Sequence, residues 1–193
     1  MSNELGYEAH SRTREPVLMQ PYPDHLVERV TLADGTEIII RPIRPDDAEI
    51  EQEFVRNLSK ESRFFRFMDA VRELSPRMLA HFTQLDYDRH MALIAVTLVG
   101  DRDIEIAVAR YIVVADESSC EFAIVVADEW QHRGIGARLM RALIDAARAR
   151  GVRTMYGEVL AGNQKMLRFM RRLGFHLASG TDDPRVIRVE TTL

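Results

Sequence analysis

The string Gln131-His132-Arg133-Gly134-Ile135-Gly136 constrains this chain more than any other. Residues 120–127, just ahead of it, are apolar and rich in β-branched side chains, the composition of a short strand. Residues 137–150, just behind it, are rich in Ala, Leu, Met and Arg and contain neither Pro nor Gly, the composition of a helix. Strand, glycine turn and helix start together make an anion cradle. Glycine lets the backbone approach a ligand closely. The helix start offers unpaired N–H groups and the positive end of the helix dipole. Two other nucleotide loops are excluded by their spelling. No Gly-x-x-x-x-Gly-Lys-Ser/Thr occurs, and Leu139 stands where Gly-x-Gly-x-x-Gly needs its third glycine.

At 193 residues a single domain is expected, since domains commonly run roughly 100–200 residues. The first 25 residues are polar and punctuated by Pro16, Pro21 and Pro23, so 1–25 is read as a loosely ordered extension and 26–193 as the domain. A hydrophobic share of 46% is enough for a sizeable core. A net charge of -4 argues against a nucleic-acid surface. One cysteine cannot form an internal disulfide, which points to a reducing, cytoplasmic setting. No apolar run approaches the ~20 residues of a membrane helix, and no signal-peptide core is evident. The histidines show no metal spacing, so no metal is expected.

Along the chain, Asp34-Gly35 between two apolar runs predicts a hairpin over 27–43. Helical spacing covers 49–58, and Ser59-Lys60-Glu61-Ser62 is read as its breaker, ahead of an aromatic-basic cluster at 63–68. Ser75-Pro76 starts a further helix that ends near Gln84. Strands are expected at 91–99, 104–115, 120–127, 152–160, 175–178 and 186–192, and helices at 137–150 and 163–173. This order predicts an α/β, mixed α+β sandwich.

Gln-x-x-Gly-x-Gly resembles the acyl-CoA pyrophosphate loop of the GNAT superfamily of N-acyltransferases. Asn163 followed by Leu173-Gly174-Phe175, and Glu121 at the start of the preceding strand, match the same pattern. In the N-terminal half, Arg41-Pro42-Ile43-Arg44-Pro45-Asp46-Asp47 and Ser62-Arg63-Phe64-Phe65-Arg66-Phe67 resemble the acetyltransferase domain of bacterial protein-lysine acetyltransferases that modify acyl-CoA synthetases. There the domain is often fused to a regulatory partner, for which this chain is expected to have no room. The resemblance implies a GNAT-like fold, with a central mixed, mostly antiparallel sheet of about seven strands flanked by about four helices.

It also implies a direct transfer from acetyl-CoA to a primary amine. A lysine with a pKa near ~10.4 must lose its proton first, at a cost of roughly 4–5 kcal/mol at neutral pH. Glu121 is the general-base candidate; a solvated strand-end carboxylate is the plain alternative. Val125, Val126 and Ala127 are expected to offer main-chain groups to the pantetheine. Gln131, His132, Arg133, Gly134, Ile135, Gly136, Ala137 and Arg138 are expected to hold the pyrophosphate. Asn163 is expected either to touch the pantetheine or to cap its helix. Where many relatives carry a proton-donating Tyr, this chain has Met170. Strand alternation puts Cys120 on the face opposite Glu121, so it is read as a buried inert thiol.

The expected acceptor is a protein lysine, on a shallow groove with Asp69, Asp86 and Asp88 as rim candidates. A small amine in a closed pocket, or acyl-CoA sensing without turnover, are the alternatives. Monomer and dimer stay open.

Overall fold

The computed structural model describes residues 20–178 and 183–193. Eight strands form one sheet: β1 (Glu28–Thr31), β2 (Glu37–Pro42), β3 (His90–Val99), β4 (Arg102–Val113), β5 (Ser119–Val126), β6 (Thr154–Leu160), β7 (His176–Ala178) and β8 (Val186–Thr192). Their spatial order is β1-β2-β3-β4-β5-β6-β8-β7. Each neighbouring pair is antiparallel except β5 and β6, which run parallel. Five α-helices flank the sheet: α1 (Ala48–Asn57), α2 (Lys60–Phe67), α3 (Pro76–Thr83), α4 (Ile135–Ala149) and α5 (Gln164–Arg172).

Side-chain alternation along the central strands builds two cores. Leu93, Ala95, Ala107 and Ala109 join α4 and α5 on one face, through Leu139, Leu143, Leu167 and Met170. Ile94, Val96, Val108 and Val125 join α1, α2 and α3 on the other, through Phe54, Val55, Phe67 and Phe82. Each of the large apolar side chains sealed this way contributes about 1.5–3 kcal/mol relative to exposure. Beneath α1 the second core also holds charge. Arg110 meets Glu51 at 3.0 Å, and Arg41 grips Asp47 with two bonds of 2.6 and 2.7 Å.

The hairpin at Asp34-Gly35 forms as expected. Gly35 takes a φ of 84° and the Asp34 carboxylate accepts from the Thr36 amide at 3.0 Å. The mixed sandwich is present, with eight strands where about seven were expected and five α-helices where four were. The added helix is α2, and it corrects the expectation that residues 59–62 only break α1. Ser59 caps α2, accepting from Ser62 N at 3.1 Å. The cap is fixed by a distant partner: the Asp128 carboxylate accepts from Ser59 N, Ser59 Oγ and Ser62 Oγ at 3.0, 2.9 and 2.8 Å.

The loose extension expected over 1–25 falls largely on residues outside the described ones. From Gln20 onward the chain is fastened to the body. Gln20 N donates to Asp86 O at 3.2 Å, and the Tyr22 hydroxyl donates to Pro42 O at 3.0 Å. The Tyr22 ring meets Tyr87 edge-on at 5.7 Å.

Candidate active site

The parallel ladder between β5 and β6 is short. It pairs Ser119 with Thr154, Cys120 with Met155 and Glu121 with Tyr156, and then stops. Beyond Glu121 the two strands part, and β5 presents an open edge toward β6. Opposite strand edges alternate in which residues they use. Ala127 N donates to Ile106 O at 2.9 Å, on the β4 side. Stepping back by twos, Val125 also turns its main chain to β4, and Val126 and Ile124 turn theirs to the gap. Gln131 agrees with this, because its Nε2 reaches Val126 O at 3.2 Å from the gap side. Of the three residues expected to offer main-chain groups, Val126 turns its own to the gap, Val125 turns its own to β4, and Ala127 donates to Ile106 O and accepts from Trp130 N at 2.8 Å. Ile124 was missed.

The glycine loop opens at the same end of β5. Gly134 needs its glycine for conformation, with φ at 84° as it starts α4. Gly136 packs closely under its neighbours. A Cβ there would stand 3.4 Å from both Val126 and Phe169 side chains. Among the described residues, no acceptor meets the amide N–H groups of His132, Arg133, Gly134, Ile135, Gly136 and Ala137. Six consecutive free donors at the start of a fifteen-residue helix suit a diphosphate. Ile135 is buried beneath the loop. Arg133 and Arg138 flank it, each holding a carboxylate of the β1–β2 hairpin: Arg133 to Asp34 at 2.9 Å and Arg138 to Glu28 at 3.5 Å. His132 is exposed, with a positive φ of 64°. Asn163 caps α5, its Oδ1 accepting from Met166 N at 3.0 Å.

Glu121 lies at the fork, on the sheet face that carries α2. Water reaches its carboxylate, yet protein surrounds it closely enough that burial raises its pKa above the ordinary range. Glu158 adds to the rise, and Arg66 and Arg188 oppose it. The cross-strand registers extend this face outward. Tyr156 pairs with Glu121 and with Glu190, and Glu158 pairs with Arg188. The Arg188 guanidinium lies 3.6 Å from the Tyr156 ring centroid and bonds Glu190 at 3.2 Å. Glu158 is exposed and Tyr156, Arg188 and Glu190 are half-buried, so the face stays open and shallow. A cavity of about 330 Å³ lies elsewhere, past the end of β5 between Phe54, Glu105 and Trp130.

Cys120 is fully buried on the opposite face, its thiol pushed up to about 12 by burial. Met170 is fully buried too. The three acids expected at the rim each have partners of their own. Asp86 accepts from the Asp88 and His90 amides, and Asp88 pairs with Arg150 at 3.0 Å. Asp69 accepts from the next amide, Ala70 N. Among the described residues, the acid that acts on Glu121 is Glu158. Tyr156, Glu158 and Arg188 were missed from the sequence. Alternation along β6 puts Tyr156 and Glu158 on one face, but nothing local says that this face adjoins Glu121.

The profile of the acetyltransferase (GNAT) family matches residues 50–175. An acetyltransferase of Pseudomonas aeruginosa is 39% identical over 160 residues, 83% of this chain and 85% of that protein. Acetyltransferase Pat of Mycolicibacterium smegmatis is 32% identical over 165 residues. That alignment covers 85% of this chain and 47% of Pat, so the chain spans about half the length of this relative. Among solved structures, the GNAT domain of S. lividans PAT is similar with a TM-score of 0.81 at 31% identity, over 90% of this chain and 100% of that domain.

Proposed function

This chain belongs to the acetyltransferase (GNAT) family, and we propose that it acetylates lysine side chains of proteins. It is an acetyl-CoA-dependent N-acyltransferase. The single observation that carries the lysine reading is the position of Glu121: at the fork of β5 and β6, on an open, shallow, charged face rather than in a closed pocket. An extended protein segment can reach such a face, and a small amine would find little there to enclose it.

The residues present fit acetyl-CoA. The six free amides of residues 132–137 suit its diphosphate, with Arg133 and Arg138 beside them. The exposed edge of β5 at Ile124 and Val126 offers donors and acceptors to the amide-bearing pantetheine arm, as an added strand would use them. When bound, acetyl-CoA supplies an acyl group already activated as a thioester. Glu121 takes the proton from the lysine ammonium, directly or through one water. Its raised pKa brings it nearer to the working pH, where a general base is most effective. Met170 has no proton to give. A thiol near ~8.5 leaves as thiolate without help, so the transfer needs no protein acid.

The likeness to acetyltransferase Pat and to the PAT domain supports the acetyl transfer, and the resemblance of the N-terminal half to bacterial protein-lysine acetyltransferases supports a protein acceptor. The test is incubation of the protein with isotope-labelled acetyl-CoA and a cell lysate, followed by mass spectrometry. New labelled lysines on defined proteins are expected. Label confined to small metabolites would overturn the acceptor class.

A further inference from the structure

Among the described residues, Arg66 is a charge without an anionic partner. α2 is pinned at its start to Asp128, just past the end of β5, and packs along that strand. Its last turn therefore carries Arg66 back toward the Glu121 end. The guanidinium lies 5.0 Å from the Phe67 ring centroid and 5.8 Å from that of Phe82. Among the described residues, every other buried or half-buried arginine is tied. Arg41 holds Asp47, Arg63 holds the Leu58 and Arg56 carbonyls, Arg110 holds Glu51, Arg150 holds Asp88 and Arg188 holds Glu190. Arg66, half-buried, has no hydrogen bond and no ion pair among the described residues.

A half-buried cation with unused donors is unfavourable until something anionic meets it. Of its acidic neighbours, Glu51 holds Arg110 through Oε1 and Glu121 serves the reaction. Burial and the nearby Arg110 push the Arg66 pKa down to about 10, with Glu51 and Glu121 opposing, which leaves it charged at neutral pH. The planar guanidinium presents two parallel donors, the shape that a carboxylate matches. Phe67 and Phe82 steady it without using those donors.

We infer that Arg66 receives a carboxylate of the acceptor, an Asp or Glu side chain lying close to the lysine that is acetylated. The inference rests on the lysine reading above and narrows it: the preferred lysines have an acidic neighbour. A docked carboxylate and the base then hold the acceptor at two points, and the amine is presented to Glu121 in one orientation.

The test uses pairs of capped lysine peptides, identical except that one residue near the lysine, on either side, is Asp in one member and Asn in the other. CoA release gives kcat/KM for each. The wild type is expected to favour the Asp member by about tenfold at one spacing or more, mainly through KM. Arg66→Gln is expected to bring that ratio near one while the Kd for acetyl-CoA stays unchanged, and Arg66→Lys to keep part of it. The ratio isolates recognition, because a change in folding or in the basicity of Glu121 slows both members equally. A ratio near one in the wild type, or a preference that survives Arg66→Gln, overturns the inference alone. Failure to turn over any peptide, with acetyl-CoA still bound, overturns the lysine reading and this inference with it.

Discussion

Glu121 and Tyr156 form the last rung of the parallel ladder between β5 and β6, and the next position on β6 is a glycine. A Cβ at Gly157 would stand 2.7 Å from the Phe122 ring, closer than real contacts allow. That ring also meets Phe175 at 5.1 Å, so it has little room to retreat. Gly157→Ala is expected to cost roughly 1–3 kcal/mol by overpacking. Combined with Phe122→Leu, the two losses should fall short of their sum by about 1 kcal/mol, because the smaller side chain relieves the clash. Urea denaturation of the four proteins of the cycle measures this; strict additivity would show that the ring and the glycine are not coupled.

The raised pKa of Glu121 has a sign that kinetics can read. A general base works when deprotonated, so kcat/KM should rise with pH through the Glu121 titration. Glu158 contributes to the rise. Glu158→Gln is expected to move the acid limb of the profile to lower pH. Arg188→Gln, which removes an opposing cation, is expected to move it higher. Limbs that coincide in all three proteins would mean that the limb belongs to another group.

The phosphate arginines are held by exchangeable partners. The Arg133–Asp34 and Arg138–Glu28 pairs are half exposed, a class of ion pair that is worth little. Asp34 nevertheless competes with an incoming anion for Arg133. Asp34→Asn is expected to tighten CoA binding roughly threefold at low salt, with the gain shrinking as salt screens the competition. Arg133→Ala should loosen binding by about tenfold. Calorimetry checks both, and weaker binding by Asp34→Asn would contradict the exchange.

The charges beneath α1 make stability depend on pH in two directions. Burial, and then the neighbouring Glu51, raise Glu105 well above the carboxylate range. Where the unfolded chain ionises this group and the fold keeps it protonated, stability is lost as pH rises. Glu105→Gln is therefore expected to raise Tm at neutral and alkaline pH and to change it little in acid. His90 is buried and neutral, its pKa pushed down to about 2 by burial and by Arg110. Here the unfolded chain takes up the proton that the fold refuses, so stability is lost as pH falls below the ordinary imidazole range. His90→Asn should flatten the acid side of the Tm profile. Melting curves across pH give both answers, and a Glu105→Gln gain confined to acid would reverse the assignment.

What could be read from the sequence was whatever is written locally. Asp34-Gly35, Ser75-Pro76 and the glycine loop each carry their own backbone chemistry, and each forms where spelled. What could not be read depends on distant partners. Ser59 looked like the end of one helix because Asp128, which makes it the start of another, is 69 residues away. Glu121 was legible as a strand-start carboxylate, but its neighbours Tyr156, Glu158 and Arg66 come from other elements. The opposite facing of Val125 and Val126 follows from the β4 register, which no local pattern states. Asp86 and Asp88 were read as rim acids from their charge, while the amides that Asp86 accepts from and the ion pair of Asp88 with Arg150 come from the fold.

The most direct test of the account compares the wild type with Glu121→Gln in two measurements, acetyl-CoA binding by calorimetry and lysine acetylation at saturating acetyl-CoA. Glu121→Gln is expected to keep a Kd within about threefold of the wild type and to lower kcat by about 10²–10⁴-fold, since only the proton-accepting group has been removed. A Glu121→Gln protein that acetylates lysine at the wild-type rate, or one that no longer binds acetyl-CoA, would contradict it.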